Sequence, residues 1–179
     1  MSVAGRPEIV VAEAVLASMT DAGLAALPLE TGGVLAGFRA GDQIFVTRAF
    51  TLTDAASTRR SYIRREAGAQ TWLTDVLAAG PPVVGYVGEW HTHPADEPPS
   101  PTDRSSLRDA ARASRDLVAL LVLPFHDGQP RPIHGLVGQR RAALRPTLVG
   151  EADVTTSCSD ATELEARAQA VFTLDEEIP

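Results

Sequence analysis

Two histidines one residue apart, His91 and His93, are followed ten positions on by a carboxylate, Asp103. Imidazole nitrogens bind Zn2+ at about 2.0–2.1 Å and carboxylate oxygens at a similar distance, so these side chains supply three ligands and leave a fourth position open. The run Val83-Val84-Gly85-Tyr86-Val87 just before them reads as a buried strand, and side chains at i and i+2 of a strand leave from one face. His91 and His93 therefore point the same way, and Glu89 shares their face. Glu89 has two readings: it orients a ligand through a hydrogen bond, or it is an ordinary strand carboxylate beside a cleft.

Asp103 also has two readings. Pro94, Pro98, Pro99 and Pro101 forbid regular structure after the histidines, and Ser100-Pro101-Thr102-Asp103 reads as a helix start with Ser100 as N-cap and Pro101 at the first helical position. Ser-x-x-Asp is close to a capping box, so both side chains could simply satisfy free amides at the helix end. The histidines immediately upstream favour ligation by Asp103, with Ser100 serving both purposes. A metal site of this kind also needs a base that is not itself a ligand. Glu30 is the candidate, because it precedes Gly32-Gly33, whose paired glycines suggest close backbone approach. The plainer reading makes Glu30 an exposed loop carboxylate.

The elements that must position these residues alternate along the chain. A short strand is expected at 9–11, a helix at 12–26, strands at 33–38 and 43–50, and a helix at 67–79 carrying Trp72, Leu73, Val76 and Leu77. After the metal strand and the helix that Ser100 opens, 117–123 reads as a buried strand, with 133–138 and 142–149 as edge strands. Strands interspersed with helices imply an α/β sandwich around a mixed central sheet.

Glu30 before a Gly-Gly strand, then His91-x-His93-Pro94, then Ser100-x-x-Asp103, in this order and over roughly residues 9 to 140, resembles the pattern of the JAMM metalloproteases, also called MPN-domain isopeptidases. The stretch between His93 and Ser100 is a residue shorter than the commonest form, which bears on the path of the loop. The resemblance implies a cytidine-deaminase-like sandwich with Zn2+ held by His91, His93 and Asp103. Glu30 would accept the proton of the attacking water and pass it to the leaving amine, and Ser100 would donate to the developing oxyanion. It implies hydrolysis at the C-terminal tail of a ubiquitin-like protein, in a conjugate or a precursor. The Gly-Glu-Trp-His-Thr-His-Pro wording resembles bacterial members encoded beside ubiquitin-like conjugation genes in defence or mobile-element operons. The expected partners are thus a ubiquitin-like protein or its conjugates, with activating and conjugating enzymes of the same operon. Two alternatives stay open: a metallopeptidase acting on small peptides or amino-acid conjugates, and a non-catalytic MPN scaffold. An extended tail adding as a strand beside an exposed sheet edge is the expected mode of substrate binding.

Other classes are excluded. Nucleobase deaminases need a Pro-Cys-x-x-Cys pair, whereas Cys158 is the sole cysteine. The His-Glu-x-x-His of zincins does not occur, and the cupin pattern fits neither the helical stretches nor a chain without asparagine. At 179 residues a single catalytic domain is expected over 1–150. That part carries fifteen acids and fifteen arginines, so the whole net charge of −7 lies in 151–179, an acidic tail. Ser159 to Phe172 of the tail reads as an amphipathic helix with Leu164, Ala168, Val171 and Phe172 on one face, packed on its own domain or docking elsewhere. Neither part offers the basic surface that nucleic-acid binding requires. The absence of an eighteen-residue apolar run and of an apolar leader in Met1 to Pro7 leads to the expectation of a soluble, cytoplasmic protein without membrane partners. All sixteen basic residues are arginine, and the cluster Arg59 to Arg65 reads as a solvated loop face or a partner-facing patch.

Overall fold

A computed structural model describes residues 6–52, 66–141 and 146–176. Strands β1 (Glu8–Ala12), β2 (Gly32–Ala40), β3 (Gln43–Leu52), β4 (Gly85–His93), β5 (Val118–His126), β6 (Gln129–Pro130), β7 (His134–Gln139) and β8 (Leu148–Ser157) form one mixed sheet in the order β4-β2-β3-β1-β8-β7-β5-β6. A further parallel pairing of β4 with β5 brings the two sides of this sheet together, so it curves into a closed ring. Helices α1 (Glu13–Ala26), α2 (Glu66–Ala79), α3 (Pro101–Ala113) and α4 (Ala161–Glu176) flank it. This is the mixed central sheet with flanking helices expected from the alternation of elements.

β5 explains the ring's two buried layers. Its run Val118 to Phe125 is apolar without alternation and buried throughout, as a strand covered on both faces must be. Ala119, Leu121 and Leu123 turn inward to the main core with Ile9, Val11, Leu35, Ile44, Trp90 and Val15 of α1. Val118, Leu120 and Val122 turn outward and are covered by Leu107 and Ala111 of α3, one helical turn apart. α2 covers the outer face of β2 and β3 through Trp72 and Leu73 against Val34 and Leu52.

β4 lies between β2 and β5 with both edges hydrogen-bonded, so strand addition at the histidine strand is not open to a substrate. β7 and β8, expected at the edge, lie inside the ring, because its closure uses up the edges an open sheet would have. The boundary expected at residue 150 falls inside β8. Here Glu151 and Asp153 point to solvent, ion-paired with Arg6, while Ala152 is buried; an acidic alternation is thus a strand with one wet face. Residues 142–145 of the expected strand, and the Arg59 to Arg65 cluster, lie outside the described residues.

The helix in the acidic segment packs on its own domain by a face that only partly matches the expected one: Leu164 packs against the main core and Ala168 is half-buried. Val171 and Phe172 are 61% and 42% exposed, whereas Glu165 is 2% exposed. Glu165 accepts hydrogen bonds from Thr47 Oγ1 at 2.6 Å, Arg48 Nε at 2.9 Å and Arg48 Nη2 at 2.6 Å. Gln169, one turn on, accepts from the Val83 amide at 3.1 Å. Polar anchors at 165 and 169 extend the buried face to one side of Leu164 and Ala168 and leave Val171 and Phe172 outside it. Among the described residues no helix is long and apolar enough to cross a membrane.

Candidate metal centre

β4 carries an extra residue where it faces β2: Leu35 lies opposite Gly88 but Ala36 lies opposite Tyr86, so Val87 forms a bulge. Beyond the bulge, alternation sends Trp90 and Thr92 into the core and Glu89, His91 and His93 to the side where α3 lies. The antiparallel ladder sets Gly32 opposite His91 and Gly33 opposite Trp90. Glycine is required there by space: a Cβ at Gly32 would meet Trp90 O at 2.4 Å and His91 Cβ at 2.8 Å, and one at Gly33 would meet Phe50 O at 1.7 Å. The ladder continues with the Thr92 amide donating to Thr31 O at 2.8 Å. One step further along that register, Glu30 comes level with His93 on the histidine face, and it is 8% exposed, so it is not an open loop carboxylate.

The Pro-rich loop returns the chain to the same place. Ser100 caps α3 in a full capping box: the Asp103 amide donates to Ser100 Oγ at 3.2 Å and the Ser100 amide donates to Asp103 Oδ2 at 2.6 Å. The box holds the carboxylate against the strand, with Oδ1 3.3 Å from His91 Nε2 and Oδ2 3.6 Å from His93 Nε2. The two histidine Nε2 atoms are 3.1 Å apart. Capping and facing the histidines are therefore compatible in Asp103.

The donor set fits zinc. Ligands about 2.05 Å from one ion in a tetrahedral array stand ~3.3 Å from each other; the two imidazole nitrogens are 3.1 Å apart, and each has a different Asp103 oxygen at 3.3 or 3.6 Å. One donor atom from each of His91, His93 and Asp103 lies within 4.8 Å of the others. The Glu97 carbonyl is 3.0 Å from His93 Nδ1. Because a carbonyl can only accept, Nδ1 carries a proton, so the neutral form of His93 would present its lone pair at Nε2, the nitrogen that faces the cluster. Sequence reasoning missed this partner, since a backbone oxygen in an irregular loop leaves no residue-type signal. Glu89 lines the same cleft, where its Oε1 accepts from the Tyr86 hydroxyl at 3.2 Å.

Burial pushes the Glu30 carboxyl above the ordinary glutamate range, against the pull of His91 and His93. Burial also acts to raise Asp103, but hydrogen bonding with His91, His93 and Ser100 outweighs it and holds that carboxyl well below the usual range. For His93, burial acts to lower the value, and the Asp103 and Glu97 bonds reverse this into a net rise. The cluster opens on a cleft of about 1150 Å³ that runs along α3 past Ser106 and Ala110 to Ala113. Glu30, Glu89, His91 and His93 line this cleft together with the small residues Ser106, Ala110 and Ala113 of α3.

Residues 12–140 match the family described as prokaryotic homologs of the JAB domain. The chain is 33% identical over 95 residues to a CD-NTase/cGAS isopeptidase of Vibrio cholerae, covering 52% of this chain and 61% of that relative. It is 32% identical, over the same length and shares, to a CD-NTase/cGAS isopeptidase of Escherichia coli. It thus spans under two thirds of the length of either. The solution structure of a protein from Desulfitobacterium hafniense superposes with a TM-score of 0.64 at 19% identity, covering 85% of this chain and 94% of that one, which shows a shared fold. With the family match spanning most of the chain, the protein belongs to the prokaryotic JAB-domain family, the bacterial form of the JAMM/MPN fold.

Proposed function

We propose that this protein is a zinc-dependent isopeptidase that releases the C-terminal tail of a ubiquitin-like protein from a conjugate or precursor. The observation that carries this reading is the convergence of His91, His93 and Asp103 with the buried base Glu30 on one face of the cleft. His91 Nε2, His93 Nε2 and the Asp103 carboxylate would hold Zn2+, which when bound supplies Lewis-acid polarisation and acidifies the attacking water. Glu30 takes one proton from that water as its oxygen bonds to the scissile carbonyl carbon. It then delivers the proton to the amine nitrogen as the C–N bond breaks, leaving a free amine and a carboxyl tail that releases its remaining proton to solvent. A carboxyl raised by burial suits both halves of this transfer, since proton affinity near the working pH favours accepting and then donating. Ser100 Oγ accepts from the Asp103 amide, which leaves its own hydrogen to donate to the developing oxyanion.

The names of the two relatives point to conjugates that involve a CD-NTase/cGAS protein, and we assign this chain to the same class of bacterial antiviral conjugation system. Its partners are then the ubiquitin-like protein, its conjugates and the activating and conjugating enzymes of that system, in the cytoplasm. Because β4 has no open edge, the tail lies in the cleft beside α3 without joining the sheet. The experiment compares cleavage of a ubiquitin-like fusion with cleavage of its isolated tail peptide, each with and without a zinc chelator. Faster cleavage of the fusion, abolished by the chelator, is the expected result. Equal kcat/KM for both substrates favours a small-peptide hydrolase, chelator-resistant cleavage overturns the zinc chemistry, and binding without cleavage marks a scaffold.

A further inference from the structure

Between the two candidate ligands sits Thr92, a residue that the mechanism above does not use. Its side chain leaves β4 on the face opposite the histidines and is completely buried. There its hydroxyl meets a single residue twice: Oγ1 accepts from the Thr31 amide at 3.0 Å and donates to Thr31 O at 3.3 Å. One hydroxyl has the hydrogen and the lone pairs for both roles. The Thr92 amide adds a third bond to Thr31 O at 2.8 Å. Its methyl packs toward α1, since a Cβ on Gly23 would stand 2.9 Å from Thr92 Cγ2.

The Thr31 amide belongs to the peptide plane that joins Glu30 to Thr31. Pinning that amide fixes the backbone torsion of Glu30 on its C-terminal side, and with it the direction in which the carboxylate leaves the chain. Glu30 itself has no regular secondary structure around it, lying after α1 and before the first residue of β2. Apart from the Thr92 amide bond to Thr31 O, the pairing of β2 with β4 begins at Gly32.

We propose that Thr92 is the positioning residue for Glu30: its hydroxyl clamps the Glu30–Thr31 peptide to the histidine strand and so holds the base level with the metal ligands. The placement also accounts for the residue type, since valine would fill the same space but orphan a buried amide, and serine would keep the clamp. The proposal rests on Glu30 acting as the base, and the experiment separates the two.

Amide hydrogen exchange and turnover are measured on the full chain for the wild type, Thr92→Val and Thr92→Ser. In Thr92→Val, exchange at Thr31 rises about 10-fold, the equivalent of one hydrogen bond, while β1 and β8 stay protected and zinc content is unchanged. In the same variant kcat on the ubiquitin-like fusion falls ~10-fold or more through misplacement of the base, with KM within about twofold. Thr92→Ser behaves as the wild type in both. Introduced into Glu30→Gln, Thr92→Val costs no further turnover, because the residue it positions is already gone. Unchanged Thr31 exchange and kcat in Thr92→Val overturn the proposal, as does an undiminished loss in the Glu30→Gln background, or a loss of zinc that accompanies the loss of turnover. A wild type that cleaves nothing counts against the function proposed above, and the exchange result still decides whether the clamp exists. If Thr92→Val does not fold, Thr92→Ala removes the same hydroxyl without filling the space and is read in the same way.

Discussion

Among the described residues, two clusters of charged and polar side chains are buried, and they differ in how their charges are met. Around Glu165 each carboxylate oxygen meets donors, two from the Arg48 guanidinium and one from Thr47, so the charges cancel within the cluster. Around His91 and His93 two imidazole nitrogens 3.1 Å apart face one carboxylate, and the second carboxylate of Glu30 lines the same cleft. The closed cluster fastens α4 to β3. The open one has a place for a cation and a cleft beside it. Burial of polar groups alone does not mark a site; ligand-type side chains that converge on a cleft do.

The largest effect that sharpens this contrast is expected from Glu30→Gln, which keeps the shape of the side chain and removes the base. Hydrolysis of the ubiquitin-like fusion should fall by ~10²–10⁴-fold, with zinc content and melting temperature unchanged. Wild-type rates in this variant would remove Glu30 from the mechanism.

Ser100→Ala comes next, because the residue is shared between chemistry and capping. Turnover should drop about 10²–10³-fold if the hydroxyl serves the oxyanion, and stability should fall by ~1 kcal/mol through loss of the N-cap. A melting shift with intact turnover would leave Ser100 as a cap only.

Glu165→Ala attacks the other cluster. It should cost about 2 kcal/mol in urea unfolding, since Arg48 loses its partner but remains partly exposed and can reach water. Zinc binding should not change, and a loss of zinc would break the distinction between the two clusters. A smaller effect is expected with pH. Burial acts to raise the Glu165 carboxyl, but the Arg48 and Thr47 bonds hold it below the ordinary value of 4.5. A depressed folded value stabilises above the unfolded one and is lost as pH falls through the folded one. The stability difference between the wild type and Glu165→Gln should therefore be full above about pH 5 and shrink on acidification; a difference that grows at low pH would contradict the sign.

The two clusters also differ in how far they could be read from the sequence. The histidine cluster was legible because its side chains are rare types at fixed spacing on a strand and a helix start, and the paired glycines marked where Glu30 must approach. The Thr92 hydroxyl and the Glu97 carbonyl were not legible, because both act through backbone groups that any sequence carries. The Glu165 cluster was hidden for another reason: a glutamate next to the apolar residues of a helix reads as part of its solvated face, whereas here it is buried against Thr47 and Arg48. The same limit applies to β8, whose acids alternate with half-buried residues and read as a charged tail. Closure of the ring depends on β4 meeting β5, a long-range pairing that local pattern does not encode, and it removed the edge to which a substrate strand was expected to add.

The most direct test of the metal centre is zinc content by elemental analysis of the purified wild type beside the His91→Ala, His93→Ala double variant. About one equivalent should be found in the wild type, as expected for a three-ligand site with one open position, and a small fraction of that in the double variant. Equal zinc in the two proteins, or none in a wild type produced with ample zinc, would contradict it.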